Sequence, residues 1–513
     1  MALQVTISRT WQTRRLLARA WQALAGLDVP ETERLAAQVE HMQILTGESV
    51  GTTDYTTTLL RAALLAVKDD PTAALALAQR VQQPHADLQC RALAAMICRW
   101  AHWRAGALDE FHSVSRAQWR SGSRHCRALT AVFDLNLEAA VEFGRLRLAV
   151  SRALAAEAFE HARRTACGNS AAGLLAAALL GQVAYEQGHL EEADLAIRYH
   201  MRRIRTGATV ECVTCAYIVM ARLAFHRQRS DDALALLRDA QALGERRRWP
   251  RLVAAMLGER IRILLEDNDI AGTMSTLREL EILLRSQPTT SASARADMEA
   301  HWQLAQLRFR QSQVTAAQTA ATVESLRQQA LARCDLRLAL EAHLISVAAY
   351  ARCAEISEAS ERLIDALDIG AANGMCMTFV DAGPLIRELL EKLCHDPSVS
   401  DERILELRPY IHTLLARFPN SQPSGISTPR PSQTIRQPLT LRESNVLRLI
   451  AGGLSNKRIA RHLDIAPETV KSHTKKIFAK LAAQTRAQAV AHGEVLGIIR
   501  GNTRGMQSAQ GTS

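Results

Sequence analysis

This chain of 513 residues has no apolar run long enough to cross a bilayer. The longest, residues 171–180, falls well short of the roughly twenty residues a spanning helix needs, and its small side chains suit a tightly packed helix. The N-terminus sets Arg9, Arg14 and Arg15 around Trp11 and lacks the apolar centre and cleavage site of a signal peptide. A cytoplasmic chain with no membrane partner is expected. No GxxxxGK[ST] loop is present. The nearest stretch, Gly47-Glu48-Ser49-Val50-Gly51-Thr52-Thr53, has the wrong spacing and no lysine to reach phosphates, so no ATPase activity is expected. Among ten cysteines only Cys212 and Cys215 lie close together, and a structural zinc needs four ligands. That lone pair sits inside a helical pattern, not after a strand, and reads as small core residues. No metal and no cofactor is expected. Histidines such as His102, His112 and His125 are scattered, and no His/Asp/Ser or carboxylate cluster stands at catalytic spacing, which argues against an enzyme. Strand-like alternation is missing too, so the chain should be all-α.

What is present is repetition. From about residue 10 to 365, helix–turn–helix units follow one another, with turns centred near Gly26, Asp69, Gly106, Gly144, Gly188, Gln228, Asn268, Ser312 and Ala354. These centres are 37 to 44 residues apart, the mark of a stacked array. Five residues after the later turns stand Ala74, Phe111, Ala149, Ala193, Ala233, Thr273, Ala317 and Ala359. Six of these eight are alanine, as a helix crossing requires. An open array of this kind builds a curved superhelix with a concave wall suited to a peptide, a partner helix or a small ligand. Trp100, Trp103, Trp119, Trp249 and Trp302 either line such a wall or wedge the core.

Lysine is scarce, and its placement is the second signal. The chain has seven lysines, five of them between residues 457 and 480. Residues 439–500 carry eleven basic against four acidic side chains, a balance of +7 out of the chain's +11. Residues 1–418 are left with +1. A concentrated cationic block is the footprint of phosphate binding.

That block reads Leu439-Thr440-x-x-Glu443, Gly452-Gly453-Leu454-Ser455-Asn456-Lys457-x-Ile459-Ala460, Thr469-Val470-Lys471-x-His473 and Lys480-Leu481. In order and spacing it resembles the DNA-binding domain of LuxR-type bacterial transcription regulators. The unit Leu180-Gly181-x-x-Ala184-Tyr185-x-x-Gly188-x-Leu190-x-x-Ala193-x-x-x-Ile197 resembles a tetratricopeptide repeat. The frame Gly374-x4-Phe379-x-Asp381-x-Gly383 is similar to the segment closing the helical domain of the large ATP-dependent LuxR regulators of the maltose-activator type. Met377 departs from the arginine usual there. The opening Ala18-Arg19-Ala20-Trp21-x-x-Leu24-Ala25-Gly26 resembles the first helix of their repeat domain. Those regulators place an ATPase domain before the repeats, whereas this sequence starts at the repeats.

The expected organisation is a tetratricopeptide-like helical solenoid over 1–365, its helical closing segment over 366–418, a Pro/Ser-rich linker over 419–438, a four-helix LuxR-type helix-turn-helix domain over 439–500 and a disordered tail over 501–513. Within the DNA-binding domain, Thr440 and Glu443 form a capping box and Ser455 caps a short second helix. A third helix follows over about 467–481, with Pro467 in its first turn. Val470, His473 or Thr474, Ile477 and Leu481 make its buried stripe, leaving Lys471, Ser472 and Lys475 on the open face. The resemblance implies that Lys471, Ser472 and Lys475 face the bases, and that Asn456, Lys457, Thr469 and His473 lie near the DNA backbone. For His473 a packing role between helices is the equal alternative. Two departures stand out. Ala466 replaces the usual Ser or Thr cap, and Arg458 replaces an acidic residue. A fourth helix, about 486–496 and capped by Thr485 with Gln488, pairs similar domains on two half-sites. Here Ala487, Val490 and Ala491 either make that contact or pack on the domain's own core. The implied function is a transcription regulator, more an activator than a repressor. Its partners are double-stranded DNA, RNA polymerase, a second copy on DNA, and an inducer or protein at the solenoid. The alternative is a protein–protein adapter whose terminal domain no longer reads specific DNA.

Overall fold

The helices of this chain are set by leucine and alanine recurring three and four residues apart, and their ends by one repeated turn. The computed structural model describes residues 2–46, 52–82, 86–116, 124–165, 168–286, 291–310, 316–395, 402–418, 441–452, 454–463, 466–480, 486 and 489. Among them are twenty-five helices and no strand, and the chain divides into two compact units, Met1–Pro419 and Asn420–Ser513. The expected linker and tail, and the expectations placed on 47–51, Trp119, Ser312, Thr440, Asp464, Leu481, Thr485, Ala487, Gln488, Val490 and Ala491, lie outside the described residues.

In the first unit each described repeat turns on a single left-handed residue: Leu27, Asp69, Gly106, Leu146, Gly188, Gln228, Asn268 or Ala354, with φ between 55° and 77°. At all eight, that residue's N–H donates to the carbonyl three residues back, and the following N–H donates to the carbonyl five residues before itself. This Schellman pair satisfies carbonyls that a helix end otherwise leaves open. Those bonds offset the roughly 1 kcal/mol that a non-glycine residue loses in the left-handed region. Two centres differ from the sequence reading: the turns near Gly26 and Gly144 pivot on Leu27 and Leu146. Glycine was the visible marker there, but the bonding pattern selects a leucine.

Counting five residues on from each left-handed pivot gives Thr32, Ala74, Phe111, Ser151, Ala193, Ala233, Thr273 and Ala359, and every one is fully buried. Ala149 was expected in this set and is exposed. The pivot at Leu146 moves the crossing point to Ser151, whose hydroxyl donates to the Ala139 carbonyl at 2.7 Å. Thr32 and Thr273 likewise satisfy their hydroxyls on the carbonyls of Asp28 and Asp269. Ala317's side chain is outside the described residues. Gly181 lets its two helices close up: a Cβ there would stand 2.5 Å from Ile197 Cδ1 and 3.2 Å from the Ala193 carbonyl.

The array is not the open groove expected from the repeats. Successive turns of the superhelix touch. Arg251 donates to both oxygens of Asp69 at 2.8 Å, Trp249 Nε1 donates to the Val67 carbonyl at 2.9 Å, and Arg104 Nη2 donates to Asp297 at 2.7 Å. These partners are 182 to 193 residues apart, between four and five repeats. Gly106 sits at this seam, where a Cβ would lie 2.8 Å from the Arg333 Cα. Gly106→Ala should therefore lower stability by about 2 kcal/mol or more, from left-handed strain plus a clash with backbone. A chemical melt with an unchanged midpoint would refute the close seam.

The segment after the last repeat seals the superhelix. Helices Met377–Val380, Pro384–His395 and Glu402–Leu415 follow the turn at Gly374. The Cys376 N–H donates to the Glu186 carbonyl at 2.9 Å, and the Thr378 N–H to Glu186 Oε1 at 2.8 Å. Phe379 is buried edge-on against Tyr410. Met377, where an arginine is usual, is fully buried and joins the main apolar core.

The second unit holds helices Leu441–Ala451, Asn456–Leu463 and Pro467–Lys480. Val446, Leu447, Ile450, Ile459, Ala460, Val470, Ile477 and Ala489 form its core. No helix among the described residues is long and apolar enough to cross a membrane.

Candidate nucleic-acid interface and axial cavity

The third helix of the second unit starts at Pro467, and the Ala466 carbonyl accepts from the Thr469 and Val470 N–H groups at 2.9 and 3.3 Å. Val470, Thr474 and Ile477 face inward. The choice between His473 and Thr474 thus falls to Thr474, which is nearly buried and bonds the Val470 carbonyl at 2.8 Å. His473 is half-buried, and its enclosed Nδ1 has no hydrogen-bond partner among the described residues. Lys471, Ser472 and Lys475 are exposed together along the open face, and Thr469 is exposed beside them. Lys471 Nζ meets Glu468 at 2.7 Å, but both side chains are largely in solvent, so this pair is weak and readily exchanged.

Lys457 is exposed on the helix Asn456–Leu463, with Arg458 and Arg461 adding charge beside it. Asn456 is half-buried, and its Oδ1 accepts from Arg486 Nη1 at 2.7 Å. Arg486 Nη2 also donates to the Leu454 carbonyl at 2.7 Å. Arg486 thus pins the entry to this helix and leaves the Asn456 amide nitrogen as its free donor. In the sequence Arg486 appeared as one charge among eleven and as the start of the expected fourth helix. Nothing in a one-dimensional pattern couples it to a residue thirty positions earlier.

The first unit holds a cavity of about 310 Å³ among helices of separate repeats. Arg104, Arg222, Arg251, Arg308, Arg333 and Arg337 reach it, matched in number by Glu186, Glu211, Glu259, Asp297, Asp335 and Glu341. Burial drives the Asp297 carboxyl upward, but Arg104, Arg333 and Arg251 hold it well below its ordinary range. Burial also raises Glu186, against the bond from the Thr378 N–H. Of the tryptophans, Trp103 lines the cavity, while Trp100 and Trp249 are buried wedges. Cys212 is fully buried, and Cys215 donates to Gln182 Oε1. No group of His, Cys, Asp or Glu among the described residues is placed to hold a metal ion.

Two family models match this chain. Residues 56–396 match the MalT-like TPR region, and residues 437–492 match the bacterial regulatory proteins of the luxR family. The chain belongs to the MalT-like TPR family. Its terminal residues 437–492 are similar to the bacterial regulatory proteins of the luxR family. Similar curated proteins include the HTH-type transcriptional regulator MalT of Vibrio cholerae serotype O1. That match is 35% identical over 152 residues and covers 27% of this chain and 16% of that protein. The protein of the same name from Klebsiella pneumoniae is 31% identical over 156 residues, covering 29% of this chain and 17% of that protein. The matched stretch therefore spans about a sixth of these relatives.

In this luxR-type domain the missing cap at Ala466 has a measurable consequence. A serine hydroxyl there would accept from the Glu468 or Thr469 N–H of the first turn. Ala466→Ser should stabilise the second unit by about 1 kcal/mol. A thermal melt of the domain that does not rise would show that these donors are already satisfied.

Proposed function

We propose that this member of the MalT-like TPR family is a sequence-specific transcription activator acting in the cytoplasm. Its solenoid receives an inducer, and its luxR-type domain carries the response to promoter DNA. The observation that carries this reading is the division of the helix Pro467–Lys480. Val470, Thr474 and Ile477 are buried, while Lys471, Ser472 and Lys475 stand open in a row. A helix presented this way fits the major groove, where lysine reaches guanine acceptors. Asn456, Lys457, Thr469 and His473 hold the phosphates that set its register. Two copies pair on two half-sites and recruit RNA polymerase.

The test is capture of genomic fragments by the purified chain, with Lys471→Ala/Lys475→Ala as control. A shared motif upstream of genes, enriched by the native chain alone, supports the reading. Equal enrichment by both proteins would instead favour an adapter that binds DNA without reading it.

A further inference from the structure

The cavity retains polar atoms that make no hydrogen bond among the described residues. Asn136 is fully buried, its Nδ2 donates to the Ala172 carbonyl, and its Oδ1 lacks a partner among the described residues. Arg104 is nearly buried, and its Nε makes no hydrogen bond, with the Asp69 carboxylate 4.0 Å away. Both residues line the cavity. Buried groups left this way are rare in native proteins, because each forfeits its hydration without a replacement.

Guanidinium donors are in surplus there. A guanidinium offers five N–H groups. Arg104, Arg308, Arg333 and Arg337 each make a single side-chain hydrogen bond to described residues. Asp297 serves two of these arginines, and Glu341 serves the other two. The unmet demand is therefore for acceptors, and planar carboxylates match guanidinium forks. Asn136 Oδ1 adds one demand for a donor.

Three cavity residues also hold the closing segment. Tyr185 donates its hydroxyl to Asp381 at 2.9 Å, Glu186 accepts from the Thr378 N–H, and Arg222 Nη1 donates to Asp381 at 2.9 Å. Arg222 also grips Glu259 with two bonds of 2.8 and 2.9 Å. A carboxylate entering beside Arg222 competes directly with Asp381.

We infer that this cavity binds a small carboxylic acid bearing a hydroxyl or amino donor, and that Arg222 passes its presence to the closing segment. This rests on the solenoid being the sensing unit, and it adds the ligand's chemistry and the route of its signal. Neutral sugars offer the arginine donors weaker acceptors than a carboxylate does.

The experiment screens the full chain by thermal shift. The probes are hydroxy and amino carboxylic acids (malate, citrate, tartrate, glutamate and their natural relatives). Glucose, spermidine and inorganic phosphate form the counter-set. A carboxylate should raise the melting temperature, and Arg308→Gln with Arg337→Gln should weaken its binding about tenfold or more. In the native chain the same ligand should speed hydrogen exchange at the Cys376 and Thr378 amides although the chain as a whole is stabilised. Arg222→Lys should uncouple that exchange from ligand. Stabilisation only by the counter-set, or by no probe at all, overturns the ligand class. Slower exchange at those amides, as in ordinary rigidification, overturns the relay. Neither failure touches the DNA reading, which genomic capture decides on its own.

Discussion

Lys471→Ala/Lys475→Ala should abolish preference for the target sequence while leaving the domain folded. Each lysine-to-guanine contact is worth about 1–3 kcal/mol of discrimination, so the pair should cost roughly a hundredfold or more in affinity at the target. Both side chains are exposed and contribute nothing to the core of Val446, Leu447, Ile459, Val470 and Ile477, so the melt should stay within about 0.5 kcal/mol. Binding to random DNA should fall far less, because the remaining cations still meet phosphate. Lys457→Ala should behave differently. It lies on the preceding helix and is expected to weaken target and random DNA alike, lowering the salt slope by about one. Fluorescence titrations at several salt concentrations separate the two patterns. Equal fractional losses on target and random DNA for the Lys471/Lys475 variant would remove those lysines from base reading.

The period of the array was readable because each turn repeats one bonded motif at a fixed register. Asp69, Gly106, Gly188, Gln228, Asn268 and Ala354 are all left-handed where the spacing put them. Leu27 and Leu146 were displaced because leucine carries no signal for positive φ. Backbone bonds to Leu24 and Ala23, and to Phe143 and Glu142, decide those pivots. The closed seam was not readable. Asp69 and Arg251 look like ordinary members of separate repeats until the small rotations of the intervening repeats bring them together. The open face of the helix Pro467–Lys480 was the more legible feature, since periodicity alone sets Lys471, Ser472 and Lys475 outward. The cavity needed the seam, so its arginines, drawn from helices far apart in the chain, left no pattern to find.

Asp381→Ala should be among the most damaging single substitutions in the first unit. The carboxylate receives the Tyr185 hydroxyl, Arg222 Nη1 at 2.9 Å and His226 Nε2 at 3.0 Å, all in the interior. Removing it leaves Arg222 buried with Glu259 as its remaining partner, a loss of about 3–5 kcal/mol for a broken buried pair. Asp381→Asn keeps the shape and one acceptor, and should lose less. The pH dependence tells the two effects apart. Burial pushes the Asp381 carboxyl upward, but Arg222, the His226 hydrogen bond and Arg262 together hold it at about 2, below its ordinary 3.8. A carboxyl depressed by folding stabilises the native state above its unfolded value. That stability fades as pH falls towards the folded value, and about 2 kcal/mol is at stake. The gap in stability between the native chain and Asp381→Asn should therefore be full near neutrality and should narrow on acidification from about pH 4 towards pH 2. Urea melts of both proteins across that range read it directly. A gap independent of pH would mean that the clasp works by shape and hydrogen bonding, with the charge of Asp381 playing no part in holding the closing segment to Arg222.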